Sequence, residues 1–143
     1  MHTLRRVIHR RDLVAAPPTA TVMEVASLMT DAHVGALCIL DGDALVGIFS
    51  ERDLMTRVLV AGRDARKTLV AEVMTRDVVT ACIDDSRNDC ISKMREERFR
   101  HLPVLDGDRV IAMLSMRDLL RDEIEEQREE LVVLQAYLHS NPV

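Results

Sequence analysis

The sequence predicts an α+β module made of two copies of one strand–helix–strand–strand–helix unit, followed by an extended C-terminal helix. Three observations carry that prediction. Val34–Leu54, VGALCILDGDALVGIFSERDL, recurs at an offset of 65 residues as Phe99–Leu119, FRHLPVLDGDRVIAMLSMRDL. Leu37, Leu40, Asp41, Gly42, Asp43, Ser50, Arg52, Asp53 and Leu54 recur unchanged and without a gap. A period this long marks a duplicated supersecondary unit, not a short solenoid repeat. Each copy also joins a helix-capping signal to two apolar runs around Asp-Gly-Asp. Finally, the chain changes after Met116 to a heptad-like pattern that runs to about His139.

The elements follow in order. An apolar strand is expected around Leu13–Ala16, and its counterpart around Val78–Thr80. Thr21 with Glu24 three residues on is a capping box, in which each side chain satisfies a free backbone N–H. Ser86 and Asp89 hold the same places in the second copy. Val22, Val25, Ala26 and Met29 share one face of the first helix, which therefore packs inward. Two strands come next, Ala36–Leu40 and Ala44–Phe49, then His101–Leu105 and Val110–Leu114 in the second copy. The Asp-Gly-Asp between them suits a tight hairpin. A second helix starts at Ser50 or Ser115, and Gly62 ends the first of these. This divides the chain into an N-terminal segment (1–10), a first repeat (11–62), a linker (63–72), a second repeat (73–121) and a C-terminal helix and tail (122–143). Neither half hides its sheet alone, so the two are expected to pack together.

In the last segment Leu120, Ile124, Gln127, Leu131, Leu134 and Leu138 are spaced four, three, four, three, four, a seam with one polar member. Glu123, Glu125, Glu126, Glu129 and Glu130, with Arg121 and Arg128, make a solvated face around it. The helix either folds back on its own module or adds to a homodimer contact.

Composition narrows the function. At 143 residues, 48% apolar and 30% charged, the chain can bury a sizeable core and is not disordered. No stretch approaches the roughly 20 apolar residues needed to span a bilayer. Arg5, Arg6, Arg10 and Arg11 precede no apolar block, so a cytoplasmic location is expected. A net charge of −5 with no Trp, one Tyr and two Phe disfavours nucleic acid. Cys38, Cys82 and Cys90 lie in apolar stretches and read as small buried hydrophobes. His2, His9, His33, His101 and His139 form no metal-ligand spacing, and no nucleophile elbow, Walker loop or dinucleotide fingerprint occurs. An enzyme, a catalytic cofactor and a metal site are not expected.

The repeat resembles the CBS domain, named for cystathionine β-synthase, and two in tandem resemble a Bateman module. The marks are GIFSERD at 47–53, AMLSMRD at 112–118 and RHLPVLDGD at 100–108. The resemblance covers about Arg11 to Arg121. It implies a pseudo-two-fold module with two clefts between the repeats, which commonly bind AMP, ADP, ATP or related adenosine compounds. In the family's S/T-x-x-D motif the acid holds the ribose hydroxyls and the Ser or Thr lies near phosphate. Here that makes Asp53 and Asp118 the ribose candidates and Ser50 and Ser115 the phosphate candidates. An ionised carboxylate accepts from two vicinal hydroxyls, and a helix N-terminus favours an anion. The same Ser-x-x-Asp spacing is also a capping signal, and the two roles are compatible.

In related modules a basic residue before the Leu-Pro pair reaches across to the phosphate in the other repeat's cleft. That role would fall to Arg100 and His101, opposite Gly35 and Ala36, and makes the Asp53 cleft the preferred one. The alternative is an exposed Arg and a surface His. Relatives place Thr in the first strand; here Thr80 has that place in one repeat and Ala15 in the other. Gly47 becomes Ala112, which would crowd the second cleft. Adenine would lie among Leu37, Ile39 and Leu102, and Arg52 and Pro103 complete the candidate set. The resemblance thus implies a sensor preferring AMP, with ATP, ADP or NAD(H) behind it, a homodimer, and an effector protein as partner. The competing reading is a CBS scaffold that has lost its ligand and only pairs subunits.

Overall fold

The computed structural model describes residues 3–8 and 13–140; His2, His9, Arg10 and Arg11 lie outside the described residues. The first half contains β1 (Ala15–Ala16), α2 (Val22–Ala32), β2 (Ala36–Asp41), β3 (Ala44–Ser50) and α3 (Glu51–Asp53). The last of these runs on into a wide π-helical turn, Leu54–Leu59. The second half repeats the plan with β4 (Ala81–Cys82), α4 (Arg87–Glu97), β5 (His101–Asp106), β6 (Arg109–Ser115) and α5 (Met116–Ser140). A short α1 (Leu4–Val7) precedes both.

Each half forms a three-stranded sheet, β1-β2-β3 or β4-β5-β6, with its first strand parallel to the second and the last two antiparallel. The hairpins turn at Gly42 and Gly107, whose φ angles of 61° and 63° no Cβ-bearing residue adopts cheaply. The duplication extends to irregularities. Both hairpins shift register after the same residue, Ile39 or Val104, leaving Val46 and Ile111 as bulges. The helices α2 and α4 both end on a left-handed residue, His33 or Arg98. Gly62 (φ 73°) follows the π-helical turn, at the helix end expected there.

The strand expected at Val78–Thr80 forms just beyond that span, at Ala81–Cys82. The Thr80 carbonyl is taken by Lys93 Nζ at 2.9 Å, and the parallel ladder to β5 starts only beyond it. Thr21 accepts from Glu24 N–H and Ser86 from Asp89 N–H, the forward half of each capping box.

Two cores result, one per half. Val22, Val25, Met29, Leu37, Ile39 and Phe49 centre the first; Met94, Leu102, Val104, Leu114 and Leu119 centre the second. Each core is closed by the segment that precedes the other repeat in the chain. The linker closes the first, with Val70 N–H donating to Ala20 O and Val22 N–H to Thr68 O. The N-terminal segment closes the second, with Leu4 N–H donating to Asp85 O, and Leu4 and Val7 bury in that core. The two closing segments are equivalent, Leu4 matching Val70, but at a spacing one residue longer than that of the repeats themselves.

Position 22 shows where the halves diverge. Val22 is fully buried in the first core; its counterpart is Arg87, also buried. A buried guanidinium is tolerated only when paired and hydrogen-bonded. Here Arg87 binds Asp122 at 2.8 Å and also Glu126, both on α5. Burial opposes the charge on Arg87, but bonds to the two carboxylates outweigh it and its pKa is raised. The ion pair thereby ties the root of α5 to α4.

Candidate functional site

Both Ser-x-x-Asp motifs sit where the last strand of a sheet enters a helix, and both fold alike. Ser50 N–H donates to Asp53 Oδ2 at 3.0 Å, while Asp53 N–H donates to Ser50 Oγ at 3.2 Å. Ser115 and Asp118 repeat this at 2.9 and 3.1 Å. The capping reading is thus realised in both halves, and each carboxylate is held at the strand–helix junction by its own helix turn.

The two acids differ in their surroundings. Asp118 is half-buried, whereas Asp53 is only 8% exposed. Thr75 Oγ1 lies 3.3 and 3.4 Å from the two carboxylate oxygens of Asp53, and Ser50 Oγ is 3.1 Å from Oδ2. Arg57 Nε stands 3.6 Å from Oδ1, and its Nη1 binds the carbonyls of Val73 and Met74. Two of these residues escaped the sequence reading. Arg57 stands four positions after Asp53, a spacing that puts both on one helix face and could have marked it. Thr75 arrives from the connection between the two sheets, where the linker runs on past residue 72 towards β4, and no local pattern announces it.

Gly47 makes that arrival possible. A Cβ there would lie 2.9 Å from the Thr75 carbonyl and 2.6 Å from Met74 Sδ. The linker crosses β3 at this point, with Ile48 and Thr75 exchanging two backbone bonds of 2.9 Å. Gly47 therefore serves the crossing linker, and Ala112, its counterpart, is buried in the second core.

His101 meets the first repeat at Gly35 and Glu51. It opens β5 opposite Ser115, yet its ring packs on the first repeat: a Cβ on Gly35 would lie 3.4 Å from His101 Nε2 and 3.6 Å from Glu51 Cδ. Burial lowers the His101 pKa below its ordinary 6.5; Glu51 and Asp118 pull it up, and Arg100 adds to the lowering. The imidazole is therefore neutral at pH 7, flanked by acids from both motifs. Arg100 and Arg52 are exposed. The Arg100 carbonyl accepts from Met116 N–H just as Gly35 O accepts from Glu51 N–H.

The remaining candidates lie elsewhere. Leu37 and Ile39 are sealed in the first core, and Leu102 in the second, with Pro103 buried beside it. Thr80 is half-buried, ahead of β4 and on the far side of β5 from Ser115. Of the cysteines, Cys38 and Cys90 are buried as expected, their thiols pushed up by burial to about 12 and about 11. Cys82 is exposed, contrary to expectation, because Ala81 takes the inward place and alternation turns the next residue out.

The chain matches the CBS domain family twice, over residues 4–60 and 70–125. It belongs to the CBS domain family. Each match begins with the segment that closes the other half's core, so the family boundary follows chain order and cuts across the packing. A mitochondrial CBS domain-containing protein of Arabidopsis thaliana is 34% identical over 123 residues, 82% of this chain; the chain spans 60% of that relative's length. Among solved structures, a CBS-domain protein from Burkholderia ambifaria is 32% identical with a TM-score of 0.83, covering 88% of this chain and 96% of that one. A CBS domain protein from Pyrobaculum aerophilum, solved in complex with AMP, is 25% identical with a TM-score of 0.75, covering 82% and 89%. The chain is thus a tandem CBS pair with a long C-terminal helix. No helix among the described residues is long and apolar enough to cross a membrane.

Proposed function

We propose that this CBS pair is a cytoplasmic regulatory module that binds an adenine nucleotide, AMP by preference, and passes its occupancy to an effector protein. Asp53 carries the reading. It is a buried carboxylate with a hydroxyl donor, Thr75 Oγ1, within reach of both its oxygens. A vicinal ribose diol would supply two such donors in place of that one. Ser50 would lie near the phosphate, with His101, packed at Gly35 and Glu51, and the exposed Arg100 supplied by the second repeat. The AMP complex of the Pyrobaculum relative supports the ligand class. The Asp118 cleft, with Ser115, is the second candidate. The ligand works as a signal only by binding one arrangement of the repeats better than another.

One observation favours the competing scaffold reading: Leu37, Ile39 and Leu102, the expected adenine neighbours, are sealed in the cores. Melting of nucleotide-stripped protein with AMP, ADP, ATP, NADH and S-adenosylmethionine separates the two. A ligand at one hundred times its Kd raises stability by about 2.7 kcal/mol. The proposal expects such a shift with AMP; unchanged melting with all five compounds leaves the scaffold.

A further inference from the structure

The helix α5 has two faces with different fates. Leu119, Asp122, Glu126 and Glu129 face the body of the module: Leu119 is in the second core, Asp122 and Glu126 hold Arg87, and Glu129 meets Arg6 at 3.7 Å. These take the c and f positions of a heptad whose a and d positions are Ile124, Leu131, Leu138 and Leu120, Gln127, Leu134. The apolar residues of that seam are 42–61% exposed. Every residue from Leu131 to Ser140 is exposed, so among the described residues the distal helix buries little against its own fold, with Arg6 across a cleft from Val133, Leu134 and Tyr137.

The charges beside the seam select its occupant. Glu123 and Glu130 are g residues; Arg121 and Arg128 are e residues. Two copies of α5 laid parallel and in register set Glu123 of one against Arg128 of the other, twice by symmetry. Laid antiparallel, they bring g against g and e against e, which is Glu against Glu and Arg against Arg. From this exposed seam and its charge pattern we infer that α5 is a parallel dimerisation helix whose partner is a second copy of this chain. Gln127, the single polar seam residue, then faces its own copy and fixes the register. This assembly does not depend on nucleotide and stands or falls apart from the proposed ligand.

The test uses the full chain with Leu138→Cys in a Cys82→Ser background, since Cys38 and Cys90 are buried. A residue at one end of the seam meets its own copy only in the parallel arrangement. Mild oxidation is expected to give a disulfide-linked dimer without nucleotide. Leu131→Glu, at an exposed site where folding is unaffected, is expected to abolish it. Arg128→Glu slows its formation about tenfold, and adding Glu123→Arg restores the rate. Absence of the linked dimer overturns the inference, as does a rate indifferent to Leu131→Glu or to the charge pair.

Discussion

Replacing Gly47 by Ala tests whether the linker is locked onto β3. The new Cβ would sit 2.6 Å from Met74 Sδ and 2.9 Å from the Thr75 carbonyl oxygen. The sulfur belongs to a side chain buried in the first core, and the oxygen to backbone held by Ile48 N–H. The protein has two ways out. Keeping the crossing strains a packed core, which costs about 1–3 kcal/mol. Lifting the linker breaks both Ile48–Thr75 bonds, at about 0.5–1.5 kcal/mol each. Against either stands a gain of about 0.4–1 kcal/mol from a less flexible unfolded chain. The net expectation is a loss of about 1–2 kcal/mol, read as a lower urea midpoint at unchanged m-value. Ala112→Gly, at the equivalent place where no such crossing dictates a glycine, is the control and costs about 0.5–1 kcal/mol. A Gly47→Ala protein as stable as the parent would refute the locked crossing.

Arg87→Ala strips Asp122 and Glu126 of their buried cation and should cost about 3–5 kcal/mol in urea unfolding; Arg5→Ala, which opens the exposed pair with Asp84, should cost about 0–1. The lowered His101 pKa means that the unfolded chain binds the extra proton first, so stability falls as pH drops below about 6.5. His101→Gln should flatten that part of the stability–pH curve. A phosphate arriving beside His101 would favour its protonated form, so AMP should bind more tightly toward acid. The AMP phosphate titrates in the same range, so the difference between parent and His101→Gln is the quantity that reports the imidazole. A maleimide should label one thiol per folded chain, Cys82, and three after denaturation; labelling of Cys38 or Cys90 in the folded protein would contradict their burial.

The parts of the fold legible in the sequence were those fixed by local rules. Asp-Gly-Asp specified the hairpins, Thr21 and Ser86 the helix starts, and the constant offset the duplication. His101 was legible only through the family resemblance, and the structure seats it against Gly35 and Glu51. What escaped was long-range. The N-terminal segment closes the opposite core, but its equivalence to the linker slips by one residue, so a constant offset cannot align them. Nothing near Arg87 in the chain signals its burial, because its two carboxylates come from α5, more than thirty residues on. Gly47 was read as bearing on the cleft, whereas the space it leaves is taken by the linker. Thr75 reaches Asp53 for the same reason, and no period in the sequence joins them.

The central claim is that Asp53 receives the ribose of an adenine nucleotide. The direct measurement is calorimetric titration of AMP into nucleotide-stripped parent, Asp53→Asn and Asp118→Asn, with urea unfolding confirming that each variant is folded. Asn keeps the size of the side chain and one acceptor oxygen but removes the charge. The account predicts saturable binding to the parent, loss of about tenfold or more in affinity with Asp53→Asn, and a smaller effect with Asp118→Asn. Equal affinity of the parent and a folded Asp53→Asn protein would contradict it.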